Sequence, residues 1–203
     1  MSIFLVRHAE TALNAARVVQ PFDTPISARG RAQAQRLAMR LLRDSRPAMV
    51  LSSDAPRALQ TAAPFAQSVR MDVTPDPTLR ERDFGVLRGQ AYDTLGVDPQ
   101  TLVEAPADGE SLEAFGARVQ AAWARLIERH AACRGGDLVV FSHGLWIRTL
   151  IGHPGLDPQH PGPGALPNTS VTVIDPGPPV RITQTGCAAH LDETLAGRGV
   201  SGI

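Results

Sequence analysis

Short apolar runs alternate along the chain with longer stretches of helical periodicity. Three apolar runs are too short for core helices and predict buried strands, at residues 3–6, 49–51 and 138–141, and residues 71–73 predict a further short strand. Amphipathic stretches, two of them behind the N-cap residues Ser27 and Ser111, predict helices at about 28–44, 56–69, 112–132 and 145–152. This alternation predicts an α/β fold, a three-layer αβα sandwich with a mostly parallel central sheet and helices on both faces.

The remaining segments carry weaker signals. Residues 76–110 are rich in proline and glycine with little periodicity, which predicts an irregular lid rather than a second domain. The chain 1–203 is therefore expected to form a single domain. A loop is predicted at 154–167, followed by strands at 171–174 and 180–182 that add an antiparallel edge. From about Cys187 the signals are weak, and we expect a partly disordered tail.

Composition narrows the classes of partner. The formal net charge is zero, so the overall field predicts no binding to nucleic acid or to an anionic membrane. No apolar stretch approaches membrane-spanning length, and Arg7 ends the first apolar run too early for a signal peptide. Cys133 and Cys187 lie far apart and are expected to be free thiols. Together these features predict a cytoplasmic protein.

Polar side chains follow the predicted strands at the edge where open α/β sheets bind ligands. Arg7 and His8 end the first strand, His143 follows the strand at 138–141, and Arg57 opens the helix after the second strand. Planar guanidinium groups can each hold two oxygens of a phosphoryl group, and the N-terminus of the helix after His143 can add N–H donors. All 20 basic residues are arginine, so a catalytic lysine is excluded.

The segment 7–11, Arg-His-Ala-Glu-Thr, resembles the signature of the histidine phosphatase superfamily, which includes the cofactor-dependent phosphoglycerate mutases. Ala9 stands in place of the signature glycine, and Asn14 also fits the family pattern. The segments that resemble further motifs of the family, in the family's order, are 53–61, 80–85, 109–111 and 142–144. The resemblance covers residues 3–174 and implies a phosphoglycerate mutase-like fold.

The resemblance also implies a reaction that needs neither a metal nor a cofactor. His8 attacks phosphorus and becomes a phosphohistidine, Glu81 acts as acid and then as base, and a partly protonated His143 stabilises the equatorial oxygens. The implied catalytic residues are His8, Glu81, His143, Arg7 and Arg57. The implied substrate-binding residues are Asn14, Thr11, Gly144 and Arg88.

The same residues have structural alternatives. Arg57 can be a solvated residue on a helix face, Glu81 part of a surface charge cluster, and His143 a core histidine. Spacing alone does not identify Glu81 among the many carboxylates. The other four histidines have no ligand-like spacing, so no metal site is predicted; they are His130, His153, His160 and His190.

Departures from the family pattern favour one branch. Mutase relatives carry a longer insertion after the acid, with Glu-Arg-His-Tyr-Gly and lysine nearby, and an asparagine after the His-Gly pair. This chain has Glu-Arg-Asp-Phe-Gly at 81–85, no lysine, and Leu145 after Gly144. We therefore expect a histidine acid-type phosphatase, a phosphomonoester hydrolase for a small phosphorylated metabolite. The alternatives left open are a cofactor-dependent phosphoglycerate mutase and a catalytically silent relative that binds phosphorylated ligands.

Arg88 is a second departure. Many phosphatase relatives have Trp-Glu-Gly where this chain has Leu-Arg-Gly at 87–89. The hypothesis is that Arg88 binds a second anionic group of the substrate; the alternative is that it points into solvent. The natural substrate and the oligomeric state stay open, with a homodimer as one option because dimers are frequent in such folds.

Overall fold

A six-stranded sheet with the order β3-β2-β4-β1-β5-β6 forms the centre of the molecule. The computed structural model describes residues 1–157, 164 and 166–196. The strands are β1 (Ile3–Arg7), β2 (Pro47–Ser52), β3 (Val73–Pro75), β4 (Asp137–Ser142), β5 (Val171–Asp175) and β6 (Arg181–Cys187). The first four run parallel to one another, while β5 and β6 are antiparallel to their neighbours. The predicted mostly parallel sheet with an antiparallel edge is confirmed.

Helices cover both faces of this sheet, as predicted. They are α1 (Ala12–Ala15), α2 (Ala28–Asp44), α3 (Pro56–Val69), α4 (Leu112–Ala131), α5 (Gly144–Ile151) and α6 (Glu193–Ala196). The side chains of Ser27 and Ser111 accept backbone N–H bonds at the starts of α2 and α4, which confirms both predicted N-caps. The four-residue α1 was not predicted, because one turn is too short to show helical periodicity.

The alternation of β1 sorts the core into two layers. Ile3 and Leu5 pack with residues of α4 and α5, such as Phe115 and Trp146. The side chains between them point to the other face, where Phe4 and Val6 pack with residues of α2 and α3. Both faces of the strand are therefore buried, which explains the unbroken apolar run and confirms the three-layer architecture.

Several predicted segments differ in the structure. The strand predicted at 180–182 runs from Arg181 to Cys187 as β6. The strand predicted at 71–73 begins at Val73, because the left-handed residue Arg70 ends α3 and the Met71 N–H bonds to the Ala66 carbonyl at 3.0 Å. The tail that we expect to be partly disordered from about residue 187 is described as far as residue 196. There α6 packs near α2, and Gln33 Nε2 donates to the Leu195 carbonyl at 2.9 Å. Residues 197–203 of the predicted tail, and 158–163 and 165 of the predicted loop, lie outside the described residues.

The segment 76–110 contains only short 3-10 turns. Gly85 sits in the left-handed region at φ +51°, and a Cβ there would lie 1.9 Å from the Ala107 carbonyl oxygen, so only glycine fits this close approach. An isolated bridge joins Ala91 to Val18, beyond the end of α1. The segment is therefore irregular and yet tied to the region that follows β1. Among the described helices, none is long and apolar enough to cross a membrane.

Candidate active site

His8 and His143 lie side by side where β1 and β4 end. The two strands are neighbours in parallel register, with Arg7 opposite Ser142, and the His8 N–H bonds to the Ser142 carbonyl at 2.9 Å. The imidazole ring centroids are 5.2 Å apart, and both side chains are buried. The sheet thus brings together two histidines that are 135 positions apart, as the sequence predicts.

The backbone fixes the tautomer of His8. Its Nδ1 lies 2.8 Å from the Ala9 carbonyl, which can only accept, so Nδ1 carries the proton and Nε2 keeps a lone pair. Burial, followed by the charges of Arg57 and Arg7, holds the pKa of His8 well below its usual range. The ring is therefore neutral at neutral pH, with the unprotonated nitrogen that a nucleophile needs.

His143 is also a neutral ring. Its Nε2 forms a hydrogen bond of 2.9 Å with the Ser53 hydroxyl, which also accepts the Ala55 N–H at 3.3 Å. Its Nδ1 has no hydrogen-bond partner among the described residues. Burial and the charge of Arg57 lower the pKa of His143 well below 6.5. The partly protonated state expected from the resemblance is therefore not the state of the ligand-free protein.

Two buried guanidinium groups flank the histidines. Arg57 Nη1 donates to the carbonyls of Pro21 at 3.2 Å and Phe22 at 3.3 Å, and Arg7 Nη1 donates to the Leu166 carbonyl. Burial lowers the pKa of both arginines to about 10, so both stay charged at neutral pH. With Arg57 only 5% exposed, the alternative of a solvated helix-face residue is wrong. We call Arg7, His8, Arg57 and His143 the histidine cup.

Gly144 lets the backbone approach Arg7 closely. A Cβ at this position would lie 3.1 Å from Arg7 Nε and 3.3 Å from Cζ, so a side chain would press on the guanidinium group. Gly144 opens α5, and the strand-to-helix turn at residue 143 places it directly after the cup. Its role in the structure is to leave room for Arg7.

Glu81 occupies the N-terminus of α5. Its carboxylate accepts the N–H groups of Leu145 and Trp146, each at 3.0 Å, and that of Arg82 at 3.1 Å. Burial raises the pKa of Glu81, and these amide bonds and the two cup arginines oppose the rise. The N–H groups at the start of α5, which the sequence analysis predicts as donors to a phosphate, are therefore bonded to Glu81 instead. The carboxyl group is not part of a solvated surface cluster.

The predicted substrate-binding residues are placed differently from one another. The Thr11 hydroxyl caps α1 by accepting the Asn14 N–H at 2.9 Å and donates to Gln20 Oε1 at 2.7 Å, so it is used locally. Asn14 is buried on α1. Arg88 is half-exposed; its Nε donates to the Gly85 carbonyl at 2.9 Å, and Nη2 lies 3.3 Å from Asp83 Oδ1. Arg88 is therefore paired with a carboxylate.

A cavity of about 420 Å³ opens beside the cup. Five arginines and three acidic residues line it, together with Gln20, Phe22, Ala55 and Pro77. A recess of about 20 Å³, room for roughly one water molecule, contacts His8, Arg57 and Glu81. We call the part of the wall outside the cup the mouth; its charged residues besides Glu81 are Arg80, Arg82, Asp83, Arg88, Glu110 and Arg118. Such a polar wall suits a charged, water-soluble ligand.

Some residues of the site escaped the sequence reasoning. Asn168 donates from Nδ2 to the His8 carbonyl at 3.0 Å, and the Thr61 hydroxyl accepts the Ala9 N–H at 2.9 Å. Arg118 reaches the backbone around Glu81 from α4. Only Ser53 and Thr61 carried a signal, since both lie in the 53–61 motif. In residues 1–157, 164 and 166–196, no group of three or more His, Cys, Asp or Glu side chains is placed to hold a metal ion.

The chain is similar in sequence to known proteins. A family model described as the histidine phosphatase superfamily (branch 1) matches residues 3–181. The "Phosphoglycerate mutase-like protein 4" of Arabidopsis thaliana is 34% identical over 206 residues, which cover 95% of this chain and 87% of that protein.

Solved structures are similar over nearly the whole chain. Bacillus stearothermophilus YhfR superposes with a TM-score of 0.80 at 27% identity, covering 94% of this chain and 99% of that one. The mycobacterial glucosyl-3-phosphoglycerate phosphatase Rv2419c, in complex with VO3, superposes with a TM-score of 0.77 at 25% identity, covering 92% and 98%.

Proposed function

Because this chain belongs to branch 1 of the histidine phosphatase superfamily, we propose that it is a phosphomonoester hydrolase that works through a phosphohistidine at His8. The observation that carries the proposal is the bond from His8 Nδ1 to the Ala9 carbonyl, because it leaves the lone pair on Nε2 inside a cup of two arginines and a second histidine. The substrate class is a small phosphorylated metabolite.

In the first half-reaction, Nε2 of His8 attacks phosphorus. The P–N bond forms while the ester P–O bond breaks, and Glu81 gives its proton to the departing alcohol oxygen. Arg7 and Arg57 hold the phosphoryl oxygens, and His143 stabilises the charge that develops on them. Arg57 Nε supports this assignment, since it is buried and has no hydrogen-bond partner among the described residues.

In the second half-reaction, water replaces the alcohol. Glu81, now a carboxylate, draws a proton from the water, whose oxygen attacks phosphorus as the P–N bond breaks. His8 recovers its lone pair, Glu81 recovers its proton, and inorganic phosphate leaves. The small recess between His8 and Glu81 is of a size to hold that water.

The charge of the site favours a substrate with a single phosphate. With Glu81 protonated, six arginines and three carboxylates surround the cup and the mouth, which leaves three positive charges: Arg7, Arg57, Arg80, Arg82, Arg88 and Arg118 against Asp54, Asp83 and Glu110. A phosphomonoester dianion neutralises most of that excess, whereas a bisphosphate primer of the kind a mutase needs would leave the site negative. The similarity to a glucosyl-3-phosphoglycerate phosphatase makes phosphorylated small acids the first candidates.

A base-quenched single turnover tests the proposal. The enzyme is mixed with p-nitrophenyl phosphate without added metal, quenched in base, and its peptides are analysed by mass spectrometry with His8→Ala as the control. We expect a base-stable, acid-labile phosphate on His8 and no turnover by the variant. A phosphate on another residue, or turnover retained by His8→Ala, would reject the mechanism.

A mutase remains the second candidate because a relative is named phosphoglycerate mutase-like. The discriminating assay supplies 3-phosphoglycerate with its bisphosphate primer and measures isomerisation against phosphate release. Isomerisation faster than hydrolysis would replace the phosphatase by a mutase. Binding of vanadate without hydrolysis of any phosphoester in a metabolite panel would indicate the silent relative.

A further inference from the structure

Arg118 uses all five of its guanidinium N–H groups, three on the segment that carries Glu81 and two on Glu110. From α4, Nη1 donates to the carbonyls of Thr78 at 3.0 Å and Arg80 at 2.8 Å, and Nη2 donates to that of Glu81 at 3.2 Å. The remaining N–H groups form a bidentate pair with Glu110, from Nε at 2.8 Å and from Nη2 at 2.7 Å. One side chain thus binds three carbonyls within four residues.

Glu110 holds the other side of the same segment. Its Oε2 accepts the Asp83 N–H at 2.9 Å, and its own N–H donates to the Asp83 carbonyl at 2.8 Å. Its carbonyl accepts Arg82 Nε at 3.1 Å and Nη2 at 2.9 Å. The Arg118–Glu110 pair therefore brackets Glu81 from residue 78 to residue 83.

No strand ladder performs this task. β3 ends at Pro75, and residues 80–84 form neither strand nor helix, so their carbonyls have no partners within a sheet. The guanidinium fork supplies those partners with fixed geometry, which a lysine ammonium cannot reproduce for three carbonyls and a carboxylate at once. The far end of Glu81 is fixed by α5, so the side chain is held at both ends.

We propose that Arg118 is a positioning residue that keeps the Glu81 carboxyl group within reach of the leaving-group oxygen. The inference rests on the proposed role of Glu81 as the general acid. Arg118 touches neither the phosphoryl group nor the reacting atoms in this account; it acts through the backbone of residues 78–81. Its loss should therefore matter in proportion to how much the leaving group needs a proton.

Substrates with different leaving groups distinguish a loss of Glu81 positioning from general damage to the structure. An alkoxide is a poor leaving group and needs the proton of Glu81, whereas p-nitrophenolate departs without one. The test is to compare kcat/KM on glycerol 2-phosphate and p-nitrophenyl phosphate for four proteins: the parent enzyme, Glu81→Gln, Arg118→Lys and Arg125→Lys. Arg125 is an exposed arginine on the same helix, one heptad further, and serves as the matched control.

The expected result is a selective loss. Glu81→Gln should lose about 100-fold or more on the alkyl ester and under tenfold on the aryl ester. Arg118→Lys should lose roughly tenfold on the alkyl ester and less than about twofold on the aryl ester, with Arg125→Lys unchanged on both. Equal losses on both esters, or no loss on either, would overturn the positioning role of Arg118.

The two levels of the proposal fail in different ways. If Glu81→Gln shows no dependence on the leaving group, Glu81 is not the acid, and the role of Arg118 is rejected with it. If only Arg118→Lys lacks the dependence, the proposed function stands and this inference fails. Should Arg118→Lys not fold, Glu110→Gln replaces it, because the amide oxygen can still accept the Asp83 N–H while the ion pair is lost. The same selective loss is expected, and an equal loss on both esters would contradict it.

Discussion

The arginines of the histidine cup and those of the mouth carry the same charge but are held differently. Arg7 and Arg57 are buried and bond to backbone carbonyls, and burial lowers the pKa of each to about 10. Arg80 and Arg88 are half-exposed and paired with Asp54 and Asp83. A buried guanidinium group that is bonded to neutral carbonyls is costly for the folded protein and attracts an anion strongly.

From this difference we expect the cup to carry the proposed chemistry and the mouth to set the choice of substrate. The cup is fixed by the strand ladder between β1 and β4 and by the first turn of α3, so its geometry is rigid. The mouth is built on the irregular segment 76–110, where ion pairs on the surface contribute little to stability. Changes in the cup should therefore affect every substrate, and changes in the mouth should affect only some.

The largest contrast is expected between Arg57→Ala and Arg80→Ala. Removing Arg57 takes away a buried donor group beside both histidines, so we expect kcat/KM to fall roughly 10²–10³-fold on any phosphoester. Arg80 lies on the mouth and stacks on Phe22, and its removal should cost less than about threefold. Steady-state kinetics on p-nitrophenyl phosphate measure both. Comparable losses would show that the division between cup and mouth is wrong.

The pH profile should be set by Glu81 and His8 rather than by the mouth. Burial lowers the pKa of His8 and raises that of Glu81, so the active pair of neutral imidazole and protonated carboxyl lies between those two values. Above the pKa of Glu81, kcat/KM on an alkyl phosphate should fall about tenfold per pH unit as the acid loses its proton. That limb should be absent in Glu81→Gln; its persistence there would assign the titration to another group.

Gly144→Ala tests the packing of the cup. The new Cβ would meet the Arg7 guanidinium at 3.1 Å and displace it, and we expect kcat to fall roughly tenfold with KM little changed. Gly116→Ala on α4 is the matched control, because a Cβ there has no neighbour within 4 Å. It should keep full activity and stabilise the helix by about 0.5–1 kcal/mol, seen as a higher Tm. Full activity of Gly144→Ala would show that the guanidinium group can shift freely.

The smallest effect is expected for Arg88→Ala. If Arg88 binds a second anionic group, kcat/KM on a bisphosphorylated sugar should fall about threefold, with little change on the monophosphorylated sugar. Asp83 already neutralises part of this charge, which keeps the expected loss small. Equal losses on the two sugars would remove the second-anion hypothesis.

Sequence reasoning recovered the elements whose signal is local. The strand that ends at Arg7 and the strand that ends just before His143 are apolar runs, and the N-caps Ser27 and Ser111 indicated the starts of two helices. The placement of Arg7, His8 and His143 in the cup therefore followed from the topology of a parallel sheet. It did not recover what depends on distant contacts. The anchoring of Glu81 on α5 joins residues 64 and 65 positions apart, and nothing near Glu81 in sequence encodes it.

The conformation of the irregular segments was not predicted for the same reason, because it too depends on contacts between residues that are far apart in sequence. The backbone near Glu81 is held by Arg118, whose bonds to Thr78 and Arg80 span 40 and 38 positions and follow no periodic pattern. The start of β3 at Val73 rather than at residue 71 depends on one left-handed residue, Arg70, which is neither glycine nor asparagine, so the sequence carried no signal for it. Patterns of hydrophobicity predict which face of a helix or strand is buried. They do not predict which carbonyl group a guanidinium group will bind.

The first turn of α5 positions three groups that are proposed to act on one phosphorus atom: the His143 imidazole, the Arg7 guanidinium group and the Glu81 carboxyl group. His143 precedes the helix as its cap residue, Gly144 rests against Arg7, and the next two N–H groups hold the carboxylate of Glu81. A tilt of this short helix would carry the proton donor, the imidazole and the guanidinium contact together. A ligand that moves the Glu81 carboxyl group, the His143 imidazole or the Arg7 guanidinium group would therefore be expected to move the other two through this turn.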